Sequence, residues 1–561
     1  MKLGSPHGVL LAGLLASLLC RAQTDQVPAV DQVPAAARQA AGSIDSERIR
    51  AHVRFLSSDL LEGRGPGTRG GQLAAEYIAT QFALSGVRPA GEDGDYFQKV
   101  SLIAVHTVED QTSFALVPSS GSPIELKYGV DYVTKDQTGQ TSAEIDAPIL
   151  FVGYGIHAPE YQWNDFAGVD VKGKVLLAIV NEPPSNDESF FKGKALTYYG
   201  RWTYKYEEAA RQGALGVLVI HRNDLASYGW DVVRNSQSTE KSYLRDDPLS
   251  TLRAASWIQL DIARKLLALA GLNVDREIEA AGKRGFKPVE LSVRLRAHIT
   301  SQVRRYESVN VIGVVPGTSS RPESDVIYTA HYDHLGIDPS LPGDKIYNGA
   351  ADNATGCGIL LEIARAFAQS TVPPPHNVYF ASVTAEEQGL LGSEYLGMHP
   401  PVPAKDLTLD LNFDELLPVG LPLSAQVNGA ERTSFYPIVQ KTAAAFDLQL
   451  QPDDNPMAGL YYRSDHFSFA RFGVPAFSIG EGNLFAGHDK DWGKRQEEEF
   501  YSQRYHRPTD EYRPDMDFRG DAKMARFGLI LGWEALSSAP VGWQPGDEFE
   551  AARKRSISGG S

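Results

Sequence analysis

The sequence predicts an α/β fold in which a mostly parallel mixed sheet is flanked by helices, with a β-rich domain inserted into it. From Ser308 onward, β-branched and aromatic runs alternate with amphipathic runs, a pattern typical of parallel strands joined by helices. Polar side chains follow several of these strands directly. Residues 131–297 carry their own apolar runs but no dense cluster of His, Asp and Glu, which indicates a separate domain.

Two helices are predicted over residues 44–82. Ile49, Val53, Leu56 and Leu60 recur at helical spacing. The Gly-rich run LEGRGPGTRGG lies between the helices and lacks the GKS or GKT sequence of a phosphate-binding loop. It is therefore interpreted as a turn-rich surface loop.

Further strands and helices are predicted along the rest of the chain. In the inserted domain, APILFVGYG and GKVLLAIV are predicted strands, and TYKYEEAARQGALGVLVIHR is predicted to be a helix followed by a strand. Beyond it, the predicted helix is GCGILLEIARAFAQ, and the predicted strands are SVNVIGVVPG, DVIYTAHYDHLG, NVYFASVTAEE, LTLDLNFDE and VPAFSIG. The carboxyl ends of parallel strands share one edge of a sheet, where ligands bind.

Composition excludes two classes of function. The 561-residue chain is long enough for two or three domains, and its net charge of −16 argues against a nucleic-acid partner. It has no run of eighteen apolar residues, so no membrane-spanning helix is expected. The sequence makes no prediction of the oligomeric state.

The first 22 residues have the layout of a cleaved signal peptide. Lys2 precedes an apolar run from Val9 to Leu19, and Ala22 is a small residue before the expected cut. The mature protein is therefore predicted to be secreted or periplasmic. Cys20 would leave with the signal, so the fold is expected to depend on its core rather than on disulfides.

Several His, Asp and Glu side chains are expected to converge at the edge of the main sheet. Two imidazoles and several carboxylates without a thiolate suit zinc, with manganese or cobalt as substitutes. These donors are too many for one tetrahedral ion and suit two ions about 3.5–4 Å apart that share a carboxylate and a water. In chain order the candidates are His331, Asp333, Asp352, Glu386, Glu387, Asp414 and His506.

Their positions indicate different tasks. Asp352 lies in the small-residue turn NGAADNATGCG, which lets its carboxylate approach both ions, and Asp333 is expected to accept a hydrogen bond from the other nitrogen of His331. His334 and His466 are interpreted as supporting or loop residues rather than ligands. Cys357, which opens a predicted apolar helix, is interpreted as a packing residue. The absence of HExxH and GxSxG motifs argues against a helical zinc protease and a serine hydrolase.

Six segments in this order resemble the signatures of the M28 zinc metallopeptidases: HYDHLG, NGAADNATGCG, TAEEQGLLGSEYL, LNFDE, RSDHFSFARFGVPAF and YHRPTDEY. The run FVGYGIHAPEYQWNDFAGVDVKGKVLLAIV, followed by KYEEAARQGALGVLVI, resembles the protease-associated (PA) domain inserted in many members. The resemblance implies a zinc-exopeptidase fold and divides the chain into a signal peptide (1–22), a linker (23–43), the first part of the catalytic domain (44–130), a PA domain (131–297), the main catalytic domain (298–540) and a tail (541–561).

The resemblance also implies roles for individual residues. Asp352 would bridge two zinc ions, and the bond from Asp352 to Asn353 would be cis. The terminal zinc ligands would be His331 and Asp414 on one ion and Glu387 and His506 on the other, with their order left open. Glu386 would be the general base, Asp333 would support a ligand, Tyr505 would hold the oxyanion, and Arg463 and Asp465 would lie near the substrate.

The implied activity is that of a dizinc aminopeptidase acting on peptides. Glu415 departs from an apolar residue common in the family, and its carboxylate would either attract a substrate ammonium or point away. The alternatives are an M28 carboxypeptidase or dipeptidase, for which the sequence shows no basic cluster to hold a terminal carboxylate, a glutaminyl cyclase relative, and a receptor-like binding protein on the same fold.

Overall fold

A computed structural model describes residues 27–30, 33–226, 228–319 and 324–558. The predicted signal peptide lies outside these residues. The strands of the described chain are β1 (Arg88–Pro89), β2 (Phe97–Thr107), β3 (Ser113–Pro118), β4 (Ile124–Leu126), β5 (Tyr132–Lys135), β6 (Ser142–Phe151), β7 (His157–Ala158), β8 (Trp163–Asn164), β9 (Val175–Ile179), β10 (Gly216–His221), β11 (Lys241–Leu244), β12 (Ala254–Gln259), β13 (Val289–Val315), β14 (Asp325–His331), β15 (Gly336–Ile337), β16 (Ile346–Tyr347), β17 (Val378–Val383), β18 (Leu407–Asn412), β19 (Ser424–Gln426), β20 (Gln449–Leu450), β21 (Ala476–Ser478) and β22 (Gly480–Glu481).

The α-helices surround these strands on both faces, as the alternating pattern predicts. They are α1 (Ala35–Gly42), α2 (Ser46–Leu56), α3 (Arg69–Ser85), α4 (Trp202–Arg211), α5 (Asn223–Ala226), α6 (Trp230–Ser238), α7 (Leu260–Leu269), α8 (Val274–Ala281), α9 (Thr355–Ala368), α10 (Leu391–Met398), α11 (Tyr436–Ala445), α12 (His466–Arg471), α13 (Trp492–Gln503), α14 (Arg519–Ser537) and α15 (Glu550–Ser558).

The main unit is built on the parallel strands β21, β18, β14 and β17, with β13 antiparallel to β17 at one side. Every residue of β14, β17 and β18 is buried, which is expected for parallel strands covered on both faces. Helix α9 is buried along almost its whole length and packs against α14 and the sheet. The fold is therefore α/β, as predicted, and the carboxyl ends of three parallel strands meet at one edge.

The second unit has its own core, and it shares the long strand β13 with the main unit. The first half of β13 pairs with β3 and β6, and the sheet continues through β9, β10, β12 and β5. The second half of β13 pairs with β2 and β17 of the main unit. Helices α7 and α8 pack on the second unit, which is thus an α/β layer structure as well as a sheet.

Packing adds detail at three predicted domain boundaries. Strands β3 and β4 pair within the second sheet, and Phe114 and Leu116 belong to its core, so residues 113–126 pack with the second unit. The predicted linker contains α1, whose Ala37 and Ala41 are fully buried against α9 and α14. The predicted tail also packs against the main unit, with Trp543 and Phe549 buried.

Within the described residues, no helix is both long and apolar enough to cross a lipid bilayer.

Candidate metal centre

Three strand ends bring the predicted ligands together at one edge of the main sheet. His331 is the last residue of β14, Glu386 and Glu387 follow β17, and Asp414 follows β18. Because β17, β14 and β18 run parallel, their carboxyl ends lie side by side. Asp352 reaches the same place from the short turn before α9.

The first group of donors is His331, Asp352 and Asp414. The Nε2 atom of His331 lies 3.1 Å from Oδ1 of Asp414 and 3.3 Å from Oδ1 of Asp352. The other ring nitrogen of His331 lies 3.2 Å from the backbone oxygen of Asp333. This contact orients the ring so that Nε2 faces the carboxylates. The hydroxyl of Ser464 donates to Oδ2 of Asp414 at 2.5 Å, which fixes that carboxylate from the other side.

The second group contains a histidine that the sequence interpretation set aside. His334, Asp352 and Glu387 form this group, and Nδ1 of His334 lies 2.5 Å from Oε1 of Glu387. The predicted ligand His506 is also close, with Nε2 at 3.0 Å from Oε2 of Glu387 and 3.3 Å from Oδ2 of Asp352. The His334 side chain is fully buried, whereas that of His506 is 36% exposed. The structure therefore places two imidazoles beside Glu387.

Asp352 is the residue that the two groups share. Its Oδ1 atom faces His331, and its Oδ2 atom faces His334 and His506 at 3.9 and 3.3 Å. A carboxylate whose two oxygens face different donor groups has the arrangement of a bridging ligand.

The site has the electrostatics of a cation-binding site. Asp352, Glu386, Glu387 and Asp414 converge here, and in the described parts of the chain none of them is within ion-pair distance of a Lys or Arg. Oδ2 of Asp352 and Nε2 of His334 are buried and have no hydrogen-bond partner among the described residues. Four carboxylates without a fixed cation, beside buried imidazoles, fit zinc.

Burial and neighbouring charges shift the titration of this cluster. Burial opposes ionisation of Asp352, but the imidazoles of His334, His331 and His506 hold its pKa well below the ordinary value. Burial lowers the pKa of His506, but Asp352 and Glu387 outweigh that effect and raise it to about 10. The carboxylates thus stabilise a positive charge in the site, whether it is carried by a protonated imidazole or by a bound cation.

Glu386 and Glu387 diverge although they are adjacent in sequence. Glu387 contacts His334 and His506, whereas the Oε2 atom of Glu386 lies 3.9 Å from Nε2 of His331 and belongs to neither donor group. Burial raises the pKa of Glu386 well above its usual value, and the charges of Glu387 and Asp414 raise it further against the opposing effect of His331. Glu386 therefore holds a proton more readily than an ordinary glutamate does.

Asp333 supports the site differently from the prediction. Its carboxylate lies 3.8 Å from Nδ1 of His331, beyond hydrogen-bond distance, and accepts instead from the backbone N–H of Glu386 at 3.1 Å. Asp333 thus fixes the backbone that carries Glu386, while its own carbonyl oxygen contacts His331.

Asp510 is a supporting residue that the sequence interpretation missed. Its carboxylate accepts hydrogen bonds from the backbone N–H groups of Ala351 and Asp352, each at 3.1 Å. The peptide bond between Asp352 and Asn353 is cis, as the family resemblance implied. The motif YHRPTDEY contained Asp510, but only the fold shows that it reaches the turn of Asp352.

The Gly-rich loop between α2 and α3 is not a surface loop. Arg64 is 1% exposed, and its guanidinium donates to the backbone oxygens of Tyr332 at 2.6 Å, Leu56 at 2.6 Å, Asn348 at 2.5 Å and Gly349 at 2.9 Å. The oxygens of Tyr332, Asn348 and Gly349 belong to the segments that carry His334 and Asp352, and that of Leu56 ends helix α2. The prediction was wrong because a glycine-rich composition gives no sign that one arginine inside it ties distant chain segments together.

Arg64→Met should lower the free energy of unfolding by at least about 3 kcal/mol, because it leaves several buried carbonyl oxygens without donors. Arg64→Lys should lower it less, since an ammonium can still donate to some of them. Urea unfolding measures both values. Arg69→Met is a matched control, since Arg69 lies nearby and its side chain is 71% exposed. A Met variant as stable as this control would contradict the role of Arg64.

The remaining predicted residues differ in access. Tyr505 stacks on His506 at 3.9 Å and lines the cleft beside the site, as Arg463 does. Asp465 is fully buried, its carboxylate oxygens have no hydrogen-bond partner among the described residues, and burial raises its pKa to about 7. Asp465 thus lies beneath the cleft surface, and its charge helps to raise the pKa of Glu386. Burial lowers the pKa of His466, which is in neither donor group, to about 3.

Two cavities meet at the site. The acidic cleft, of about 510 Å³, lies within the main unit and is lined by Asp352, Glu386, Asp414, Glu415, Asp454, Glu481 and Glu497 among others. The inter-unit cleft, of about 370 Å³, lies between the two units and shares Glu386, Arg463, Tyr505 and His506 with it. Glu415 does not point away, because it lines the acidic cleft and accepts a hydrogen bond from the Tyr501 hydroxyl at 2.7 Å.

Residues 310–526, which carry this site, match the sequence profile of peptidase family M28. They are thus a peptidase family M28 domain, and the family resemblance of the six motifs is confirmed.

The chain is similar to named relatives over shorter segments. It is 34% identical to aminopeptidase YwaD of Bacillus subtilis over 110 residues, which are 20% of this chain and 21% of that protein. It is 26% identical to the BOS complex subunit NCLN of Canis lupus familiaris over 172 residues, 29% of each chain. The matches thus span about a fifth to under a third of the relatives' length. A solved aminopeptidase from Aneurinibacillus sp. strain AM-1 aligns over 91% of this chain and 97% of its own, at 16% identity and a TM-score of 0.46.

Proposed function

We propose that the protein is a dizinc aminopeptidase that removes N-terminal residues from peptides. The observation that carries the proposal is that one carboxylate belongs to both metal-donor groups while a neighbouring carboxylate belongs to neither. Asp352 belongs to both donor groups, whereas Glu386 faces the same cleft and belongs to neither. A shared ligand and a free carboxylate beside it are the parts that metal-assisted peptide hydrolysis requires.

The protein would hold the metal with His331, Asp352 and Asp414 on one side and with Asp352, Glu387 and an imidazole of His334 or His506 on the other. Zinc, when bound, supplies Lewis acidity that polarises a carbonyl and lowers the pKa of water.

Glu386 would act as the proton carrier. Its raised pKa suits a carboxylate that accepts a proton from the attacking water and delivers it to the leaving amine. Tyr505 would stabilise the negative charge on the substrate oxygen. Burial raises the pKa of its phenol, so the hydroxyl keeps its proton and can donate it in a hydrogen bond.

The acidic cleft supports the choice of an aminopeptidase. Asp414, Glu415 and Glu481 line it, and such a concentration of carboxylates favours the ammonium of an unblocked peptide N-terminus. We extend the proposal to an exported enzyme, because the pattern of Lys2, an apolar run and Ala22 supports a cleaved signal. The second unit would be a PA domain that narrows the entrance to the site.

The test is hydrolysis of aminoacyl anilides with and without a chelator. We expect hydrolysis of free aminoacyl anilides, loss of activity on chelation, recovery with zinc, and no cleavage of N-acetylated substrates. Activity that survives chelation would contradict the metal dependence, and equal cleavage of N-acetylated substrates would contradict the aminopeptidase assignment.

A further inference from the structure

Two arginines near the site lack an acidic partner. Arg201 belongs to the second unit and Arg463 to the main unit. Among the described residues, neither guanidinium has a carboxylate within 4 Å, and Nε of Arg201 is buried without a hydrogen-bond partner. Burial and the charge of Arg463 lower the pKa of Arg201 to about 10, against the smaller opposing effects of Tyr228, Glu207 and Tyr462. This arginine pair, two neighbouring guanidiniums without a carboxylate ion-pair partner, is suited to hold an anion.

The arginine pair lies at the junction of the cavities that surround the site. Arg463 lines the acidic cleft and the inter-unit cleft, each of which is also lined by Glu386. Arg463 directly precedes Ser464, whose hydroxyl donates to Asp414 of the first donor group. Arg201 lines the inter-unit cleft together with Arg463. An anion held by the pair would therefore lie along the cleft that leads to Glu386.

A third cavity, the apolar chamber, opens on the same pair. Its volume is about 680 Å³, and its wall combines apolar side chains with the uncharged polar side chains of Asn181, Ser236, Gln237 and Asn455; the larger apolar ones are Leu196, Trp202, Val233, Trp257 and Met457. Arg201 and Arg463 are the charged side chains among its described lining residues. A mostly uncharged wall with large apolar side chains and two guanidiniums is the chemistry that binds an apolar group carrying a carboxylate.

The contact between the units holds the pair in place. The backbone N–H of Leu196 donates to the carbonyl of Pro456 at 3.0 Å, and the backbone N–H of Tyr198 donates to Glu548 at 3.1 Å. The Tyr198 ring also packs on Phe467, with 5.3 Å between centroids. Arg201 follows this docked segment directly, so its position relative to Arg463 does not depend on a loose loop.

We propose that Arg201 and Arg463 bind a carboxylate on the leaving-group side of the peptide, so that the enzyme selects short peptides with a free C-terminus and an apolar C-terminal residue. This inference rests on the proposed peptidase function and deepens it. Arg201 and Arg463 together form a basic cluster. The sequence does not reveal this cluster, because the two arginines come from different units. The acidic cleft would take the ammonium and the arginine pair the carboxylate, which sets the direction of the bound peptide.

The test compares free acids with amides. Leu-Phe, Leu-Gly-Phe and Leu-Gly-Gly-Phe are assayed beside their C-terminal amides. The three lengths are compared in order to find the one whose C-terminus reaches the arginine pair. We expect kcat/KM for the acid to exceed that for the amide roughly 10- to 100-fold at one length, the range of a charged hydrogen bond. Arg201→Gln and Arg463→Gln should each bring this ratio toward one, chiefly through KM. Arg264→Gln, an exposed arginine of the second unit paired with Asp261, should keep the wild-type ratio.

Two further arms separate the possible outcomes. Leu-Glu-amide carries only a side-chain carboxylate, so faster cleavage of it than of Leu-Gln-amide would show that the pair also accepts a side-chain acid. N-acetyl-Leu-Phe tests the proposed function separately, since its cleavage with an intact acid preference would contradict an aminopeptidase while supporting the carboxylate site. Equal rates for acid and amide at every length, in the wild-type protein, would overturn the inference while leaving the aminopeptidase intact. This comparison needs no variant and is unaffected if a substitution prevents folding.

Discussion

Glu386→Gln should lower the rate of peptide hydrolysis by roughly 10²- to 10⁴-fold, the contribution expected of a positioned general base. The amide keeps the shape of the side chain but cannot accept a proton from water. Because Glu386 belongs to neither donor group, zinc content should stay at the wild-type value. Initial rates on an aminoacyl anilide, together with elemental analysis of the purified variant, measure both quantities.

The adjacent glutamate provides the contrast for this experiment. Glu387 contacts His334 and His506, so Glu387→Ala should lose metal as well as activity. Glu279→Gln is a neutral control, since Glu279 is exposed on the second unit and pairs with Lys283. If Glu386→Gln keeps a rate within tenfold of the wild-type rate, Glu386 is not the base.

Asp352→Asn should abolish both metal binding and activity. Its carboxylate belongs to both donor groups, so the neutral amide weakens both at once. The loss of zinc affinity should exceed the roughly 10- to 100-fold effect of changing residues outside the ligand set. Bound zinc stabilises a folded protein by a free energy that rises with the logarithm of its affinity. The rise in melting temperature that zinc produces in the wild-type protein should therefore be absent in the variant.

Asp231→Asn is the matched control, because Asp231 is an exposed aspartate in the second unit that pairs with Arg234. It should bind zinc and show the same thermal shift as the wild-type protein. Full zinc content in Asp352→Asn would contradict the shared ligand and with it the paired arrangement of the ions.

The strand-end residues were predictable because their neighbours in sequence define them. His331, Glu387 and Asp414 each follow a buried apolar run, and parallel strands bring such ends to one edge. The sequence places His334 near the site as a supporting or loop residue, and only the fold shows that its ring lies beside Glu387. Two histidines that follow the same strand, His331 and His334, can thus both reach one site.

The misses share a physical cause, which is contact between distant segments. Arg64 binds carbonyl oxygens as far as 288 residues away, and Asp510 reaches the backbone of Asp352 from 158 residues along the chain. The helix within the predicted linker packs through small alanines, which carry little hydrophobic signal. Such contacts depend on the completed fold and leave no periodic pattern in the sequence.

The strand β13 runs through both units and belongs to both sheets. Its 27 residues are hydrogen-bonded to β3 and β6 at one end and to β2 and β17 at the other. Because this strand is continuous, each of the two sheets uses part of it, and neither sheet is complete without it. The second unit therefore could not be exchanged for another domain without cutting a strand that the main sheet also uses.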